Sequence, residues 1–197
     1  HYMSRQIPFT VGEHYHCYSR GIDKCLTFID DNDYWRFIES IHITNRIKKI
    51  PRKKLQRCSQ NEIWKLPTED PLVVVVAYCL MPNHFHLVLY EKAENGISTF
   101  MQRLGTAYTM YFNKKYERSG GLFTKPFRSK HLKDEYYLKQ VIEYVHANPT
   151  ELVPTNIDRV TETLAIRDFL EKYPFSSFTD YQGVVRAQAC ILGKASP

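Results

Sequence analysis

The stretch from Pro71 to Tyr90, PLVVVVAYCLMPNHFHLVLY, leaves few folds open. β-Branched and aromatic residues crowd both sides of Met-Pro-Asn, a tight-turn signal, so two extended runs lie antiparallel as a hairpin. The first run, with its four consecutive valines, reads as a buried strand. The second carries two imidazoles in an otherwise apolar segment. Alternate residues of a strand project to the same face, so His84 and His86 share one face and Phe85 takes the other. Their Cα atoms lie roughly 6–7 Å apart, close enough for both rings to converge on one metal ion. Hydrogen bonding on a polar sheet face is the plainer use of such a pair. His14 and His16 repeat the spacing nearer the start, so the spacing alone does not choose.

The remaining pattern places this hairpin in an α+β frame. EHYHCYSRG (13–21) reads as a strand closed by a glycine turn. DDNDYWRFIESIHITNRI follows with Tyr34, Phe37, Ile38 and Ile41 at helical spacing behind an acidic start. A second helix is expected over 97–116, with Ile97, Met101, Leu104, Tyr108 and Phe112 on one stripe, and PFRSKHL reads as a fourth strand. Asp134 then caps a helix over 135–147, which stops at Asn148 because the residue before Pro149 disfavours the helical conformation. One more helix is expected near 161–172. The order βαββαβ predicts a ferredoxin-like antiparallel sheet with helices on one face, plus the late helix at 135–147. Residues 3–150 are expected to form one domain, with 151–197 an extension packed on it. The basic, proline-broken run 46–71 reads as an insert, solvated and mobile.

Charge and cysteine content narrow the function classes. The net charge is +6 and the isoelectric point about 9.0, a balance that suits a polyanionic partner. The five cysteines are odd in number and lack C-x-x-C spacing, which argues against a disulfide framework or a cysteine zinc site and suits a reducing cytoplasm. No apolar run approaches the roughly 18 residues of a membrane span, and HYMSRQIPFT has no apolar leader core, so no membrane role is expected.

The helix at 135–147 offers partners for the histidines. At 100° per residue, Leu138, Val141, Ile142 and Val145 form its core face; Tyr144 lies about 110° and Asn148 about 70° from that face's centre. Both therefore sit on the helix shoulder, four residues apart and one above the other, with Tyr137 between them in angle. An amide oxygen is a hard ligand suited to magnesium or manganese. A phenol one turn away could attack a phosphate held there. Taken singly, a shoulder tyrosine and a helix-terminal asparagine are ordinary structural residues; their combination with His84 and His86 is not.

MPNHFHLVL, the later NGISTFMQRLGTAYTMYFNKKYERSGGLF and YLKQVIEYVHANP closely resemble the REP-associated tyrosine transposases. These belong to the single-tyrosine HUH transposases of the insertion-sequence-two-hundred type, HUH denoting histidine, a bulky hydrophobic residue and histidine. The resemblance runs from HYHCYSRG to YPFSSFTDYQG. It implies a metal-dependent single-stranded DNA endonuclease and strand transferase acting through a 5′-phosphotyrosine at hairpin-forming palindromes. His84, His86 and Asn148 are then metal ligands for Mg²⁺ or Mn²⁺, Tyr144 is the nucleophile, and no metal role is implied for His16. It further implies a monomer more readily than a homodimer, working at the bacterial nucleoid in the cytoplasm.

Basic residues near interleaved aromatics are expected to hold the DNA. Arg20, Arg103, Lys114, Lys115, Arg118, Lys125, Arg128 and Lys130 are the candidates, with Tyr111, Tyr116, Phe123 and Phe127 among them. Two other readings remain open: a non-catalytic single-stranded nucleic-acid-binding module on the same frame, and a hydrolase using H-x-H to activate water. Tyr137 is the second candidate nucleophile. The insert near 46–71 departs from the family pattern by its length.

Overall fold

The computed structural model describes residues 8–153 and 159–193. Its centre is the expected hairpin: β2 (Val73–Met81) and β3 (His84–Glu91) pair antiparallel with Met81 opposite His84. Pro82 and Asn83 make the turn between them. β1 (His14–Arg20) runs antiparallel to β3 on one side and to β4 (Arg128–Leu132) on the other. The order β2-β3-β1-β4 is that of a four-stranded ferredoxin-like sheet.

One face of this sheet is closed. α1 (Asp31–Thr44) and α4 (Gly96–Lys115) lie across it. Asp30 caps α1 by accepting the Asp33 N–H, and the Asp33 carboxylate returns a bond to the Asp30 N–H. The seal is aromatic: Phe37 lies 4.9 Å from Phe85 and 5.0 Å from Tyr108 between ring centroids. Phe37, Phe100, Leu104 and Tyr108 are fully buried with Leu87 and Leu89. The far ends of the two helices are tied by Lys115, which donates to Asp30 and Asp33, and by Tyr116, which donates to Asp33. The buried Glu91 accepts the Gly96 and Ile97 N–H groups, fixing the start of α4.

Among the described residues, the helix laid across the other face is α5 (Glu135–Ala147). Asp134 accepts the Tyr137 N–H as its cap, as the sequence predicts. Val141 and Val145 are buried, and Leu138 and Ile142 pack on the core from its margin. The helix tightens into a 3₁₀ turn over Asn148–Leu152, where Pro149 ends it. Thus α1 and α4 share one face, as expected, and the late helix occupies the opposite one.

Two regions depart from the expectations. The run 46–71 holds two short helices, α2 (Arg52–Arg57) and α3 (Gln60–Ile63). It is anchored rather than loose: Ile63 and Trp64 are buried, and Asn45 bonds both backbone groups of Val73. Charge suggested solvation, but two apolar residues and an amide clamp suffice to pin the segment. Beyond α6 (Arg159–Lys172), residues 173–177 run along the outer edge of β2. Phe175 accepts the Leu80 N–H, Ser177 donates its N–H to Tyr78, and the Tyr173 hydroxyl donates to Leu80. The strap covers backbone groups that an edge strand would otherwise present to another chain. α7 (Phe178–Tyr181) follows, held by Arg186, which donates to Asp180 and to the Ser176 carbonyl. None of the five cysteines is joined in a disulfide. No helix among the described residues is long and apolar enough to cross a membrane.

Candidate active site

The strand register decides which side chains meet beneath α5. Residues directly opposite in an antiparallel pair share a face. Arg20 lies opposite His84, while Tyr18 faces His86 on one side and Arg128 on the other. His16 lies opposite Lys130. This face therefore carries three histidine, tyrosine or cation rows, whereas one residue away along the same strands Phe85 and Leu87 point into the sealed core.

His84 and His86 lie 5.1 Å apart between ring centroids, nearly perpendicular to one another. The Tyr144 ring stands edge-on to His86 at 5.7 Å and to His16 at 6.0 Å. Tyr144 is 52% exposed and Asn148 4%, so the helix shoulder places a phenol at the mouth and an amide at the wall. Tyr137, two turns earlier, instead lies under the Lys130 ammonium, 5.1 Å from its ring centroid.

Each of three groups here is tethered at one end and spare at the other. His84 Nδ1 donates to Asn83 Oδ1 at 2.7 Å; the amide oxygen can only accept, so the proton is on Nδ1 and Nε2 is bare. His86 Nδ1 is 2.8 Å from His16 Nε2, so its own Nε2 takes no part in that bond. Asn148 Nδ2 donates to the Tyr144 carbonyl at 2.8 Å; its Oδ1 is buried and has no partner at hydrogen-bond geometry, although the side chain stands close enough to His84 to raise that ring's pKa. A buried, unsatisfied carbonyl oxygen is costly and demands a reason.

Electrostatics keeps the imidazoles neutral. Burial pushes His86 down to about 3, helped by His16, His84 and Arg20 nearby. Burial and the Lys130 ammonium push His16 down to about 4. Burial and Arg20 also lower His84, while Glu151 and Asn148 work in the opposite direction. Neutral rings are the form in which histidine binds a metal. Among the described residues no group of three or more His, Cys, Asp or Glu could hold an ion. His84 Nε2, the His86 ring nitrogen not bonded to His16 and the Asn148 amide oxygen form a mixed set instead, and such a set suits a divalent cation that keeps other positions open.

The eight basic candidates divide. Arg20, Arg128 and Lys130 share the site's face. Lys115 is committed to Asp30 and Asp33, and Arg103 donates to the Arg46 carbonyl at 2.6 Å. Arg118 bonds Asn113 and covers the Phe112 ring. Lys114 belongs to the last turn of α4. Lys125 lines a groove of about 1200 Å³ against α4, together with Phe85, Thr106 and Phe123 on the face away from His84 and His86. Two neighbours escaped the sequence reading, His16 as partner of His86 and Tyr18 stacked 5.6 Å from it. The repeated H-x-H spacing was the one signal that pointed to the first.

Comparisons with known proteins give the fold and the family. A solved REP-associated tyrosine transposase, bound to a REP hairpin, matches 99% of this chain and 94% of its own at 12% identity, with a TM-score of 0.57; the likeness is one of fold. A candidate transposase from Deinococcus radiodurans R1 matches 74% of this chain and 95% of its own at 16% identity and a TM-score of 0.39. No curated protein matches the sequence. The family model of IS200-like transposases matches residues 38–148, more than half of the chain, and that span contains both ligand-like histidines, the helix tyrosine and the asparagine. The chain belongs to the IS200-like transposase family.

Proposed function

We propose that this transposase cuts and rejoins single-stranded DNA at a hairpin, with Tyr144 as nucleophile. The observation that carries the reading is the meeting of Tyr144 with three half-tethered groups whose free ends are two imidazole nitrogens and the orphaned Asn148 Oδ1. His84, His86 and Asn148 would hold Mg²⁺ or Mn²⁺. When bound, such an ion supplies Lewis-acid polarisation of the scissile phosphate.

The chain's own residues do the rest. Tyr144 Oη, at the exposed mouth, forms a bond to phosphorus as the bond to the 3′-oxygen breaks. The phenol loses its proton and the leaving oxygen ends as a 3′-hydroxyl. The phosphodiester is exchanged for a 5′-phosphotyrosine, so a second 3′-hydroxyl restores the strand with no external energy source. Arg20, Arg128 and Lys130 flank the same face and suit contacts to the backbone phosphates. A hairpin substrate is supported by the hairpin bound to the solved relative. Tyr144 reaches His86 within the same chain, so the proposed site needs no residue from a second copy.

The test is incubation of wild type and Tyr144→Phe with labelled single-stranded hairpin DNA and Mn²⁺, followed by denaturing electrophoresis. The reading predicts a metal-dependent covalent adduct in wild type only. Cleavage by both proteins without an adduct would overturn it in favour of water activation, and metal-independent binding without cleavage would favour a simple binding module.

A further inference from the structure

We infer that His16, on the strand next to the H-x-H pair, is a positioning residue that fixes the proton of His86 on Nδ1 and so frees Nε2 as a ligand. The inference rests on the metal-binding reading above and extends it to a residue for which the resemblance implies no metal role.

The register explains how the two rings meet. His86 lies directly opposite Tyr18, and His16 is the diagonal neighbour two residues along, opposite Val88. Diagonal neighbours on one face of an antiparallel pair are within reach when both side chains are long. Here His16 Nε2 and His86 Nδ1 come within 2.8 Å, both rings buried at 7% and 5% exposure. The rings lie 5.0 Å apart and are tilted by only 23°.

Two nitrogens at this distance share one proton, and its position decides the chemistry of the far side. With the proton on His16 Nε2, His86 would carry its own proton on Nε2 and could not ligate. With the proton on His86 Nδ1, its Nε2 is a lone pair. His84 supplies the precedent within the same strand: Asn83 Oδ1 accepts from His84 Nδ1 and leaves Nε2 bare. The two imidazoles are then held alike, each by an acceptor outside the site, Asn83 for one and His16 for the other. Ligand histidines depend on such outer partners for tautomer and ring orientation. His16 is suited to the role for a second reason. Its ring also meets the edge of the Tyr144 ring at 6.0 Å, so one side chain backs both the ligand and the nucleophile.

The experiment compares wild type, His16→Gln and His16→Leu, all in the full chain. The glutamine amide oxygen can accept from His86 Nδ1; leucine fills the space and accepts nothing. Mn²⁺ affinity is measured by calorimetry, melting temperature is measured without metal, and the His86 tautomer is read by nitrogen-15 NMR in the metal-free protein. Loss of an outer-shell partner typically costs about 10–100-fold in affinity. The expected result is such a loss in His16→Leu, recovery to within a few-fold of wild type in His16→Gln, and an Nδ1-protonated His86 in wild type. Leucine and glutamine variants binding Mn²⁺ as tightly as wild type would overturn the inference, as would an Nε2-protonated His86 in the wild-type spectrum. If wild type shows the Nδ1 tautomer, lost in His16→Leu, yet binds no Mn²⁺, the metal reading fails while the positioning role stands.

Discussion

The two faces of one sheet make opposite use of neighbouring residues. Phe85 enters a closed aromatic layer with Phe37, while His84 and His86 on either side of it face a half-open site under α5. The closed face is sealed by two helices and an aromatic layer; the open face is covered by α5 and holds the buried Asn148 Oδ1 without a hydrogen-bond partner. Strand alternation allows this division within three residues, so the stability of β3 and its chemistry are independent to a first approximation. The lesson is that a pair of imidazoles can be placed on a strand without weakening the core, provided the odd and even positions are kept to separate tasks.

That independence can be broken from either side. The largest effect is expected in Tyr144→Phe: covalent adduct disappears on a denaturing gel, while the melting temperature stays within about 2 °C because the side chain is half-exposed. Tyr137→Phe keeps the adduct. Phe37→Ala acts on the other face and should cost about 3–5 kcal/mol by denaturant unfolding, the range for an aromatic removed from a packed core. A strong loss of Mn²⁺ affinity in the still-folded Phe37→Ala protein would show that the two faces are coupled after all.

A smaller effect is set by pH. His16 and His86 titrate near 4 and 3 in the folded chain but near 6.5 when unfolded. Below about pH 6.5 the unfolded state takes up protons that the folded state refuses. Stability present above that pH is therefore lost as pH falls toward 4 and then 3, by up to about 1.4 kcal/mol per pH unit for each ring. His146, also buried and lowered to about 4, adds in the same direction. Ring resonances of His16 and His86 should remain those of neutral imidazole at pH 5.5; titration near 6.5 would contradict the packing described. The smallest effect is expected in Arg128→Ala, a several-fold weaker binding of single-stranded hairpin DNA with a shallower salt dependence and an unchanged melting temperature.

Much of this was legible because local signals agreed. The Pro82-Asn83 turn, the Asp134 cap and the stop before Pro149 each have a local cause, and the hairpin and α5 appear where those residues put them. The helical angles that set Tyr144 and Asn148 on a shoulder likewise match a half-exposed phenol and a buried amide. What failed to show depends on distance along the chain. His16 and His86 are 70 residues apart, and their contact follows from register. The burial of Trp64 in a run that charge marks as solvated, and the strap at 173–177 along β2, are tertiary choices with no local signature. The basic residues divided for the same reason: only the register shows that Arg20, Arg128 and Lys130 share the site's face while Lys115 answers to Asp33.

The central claim is that two imidazole nitrogens and the Asn148 oxygen form one ligand set. The direct test is Mn²⁺ titration of wild type, Asn148→Ala and the double variant His84→Ala/His86→Ala in the absence of DNA, alongside their melting temperatures. The account predicts no measurable binding in the double variant, at least a tenfold loss in Asn148→Ala, and melting temperatures close to wild type. An Asn148→Ala protein that melts far lower yet binds Mn²⁺ as wild type does would make Asn148 a structural residue and contradict the claim.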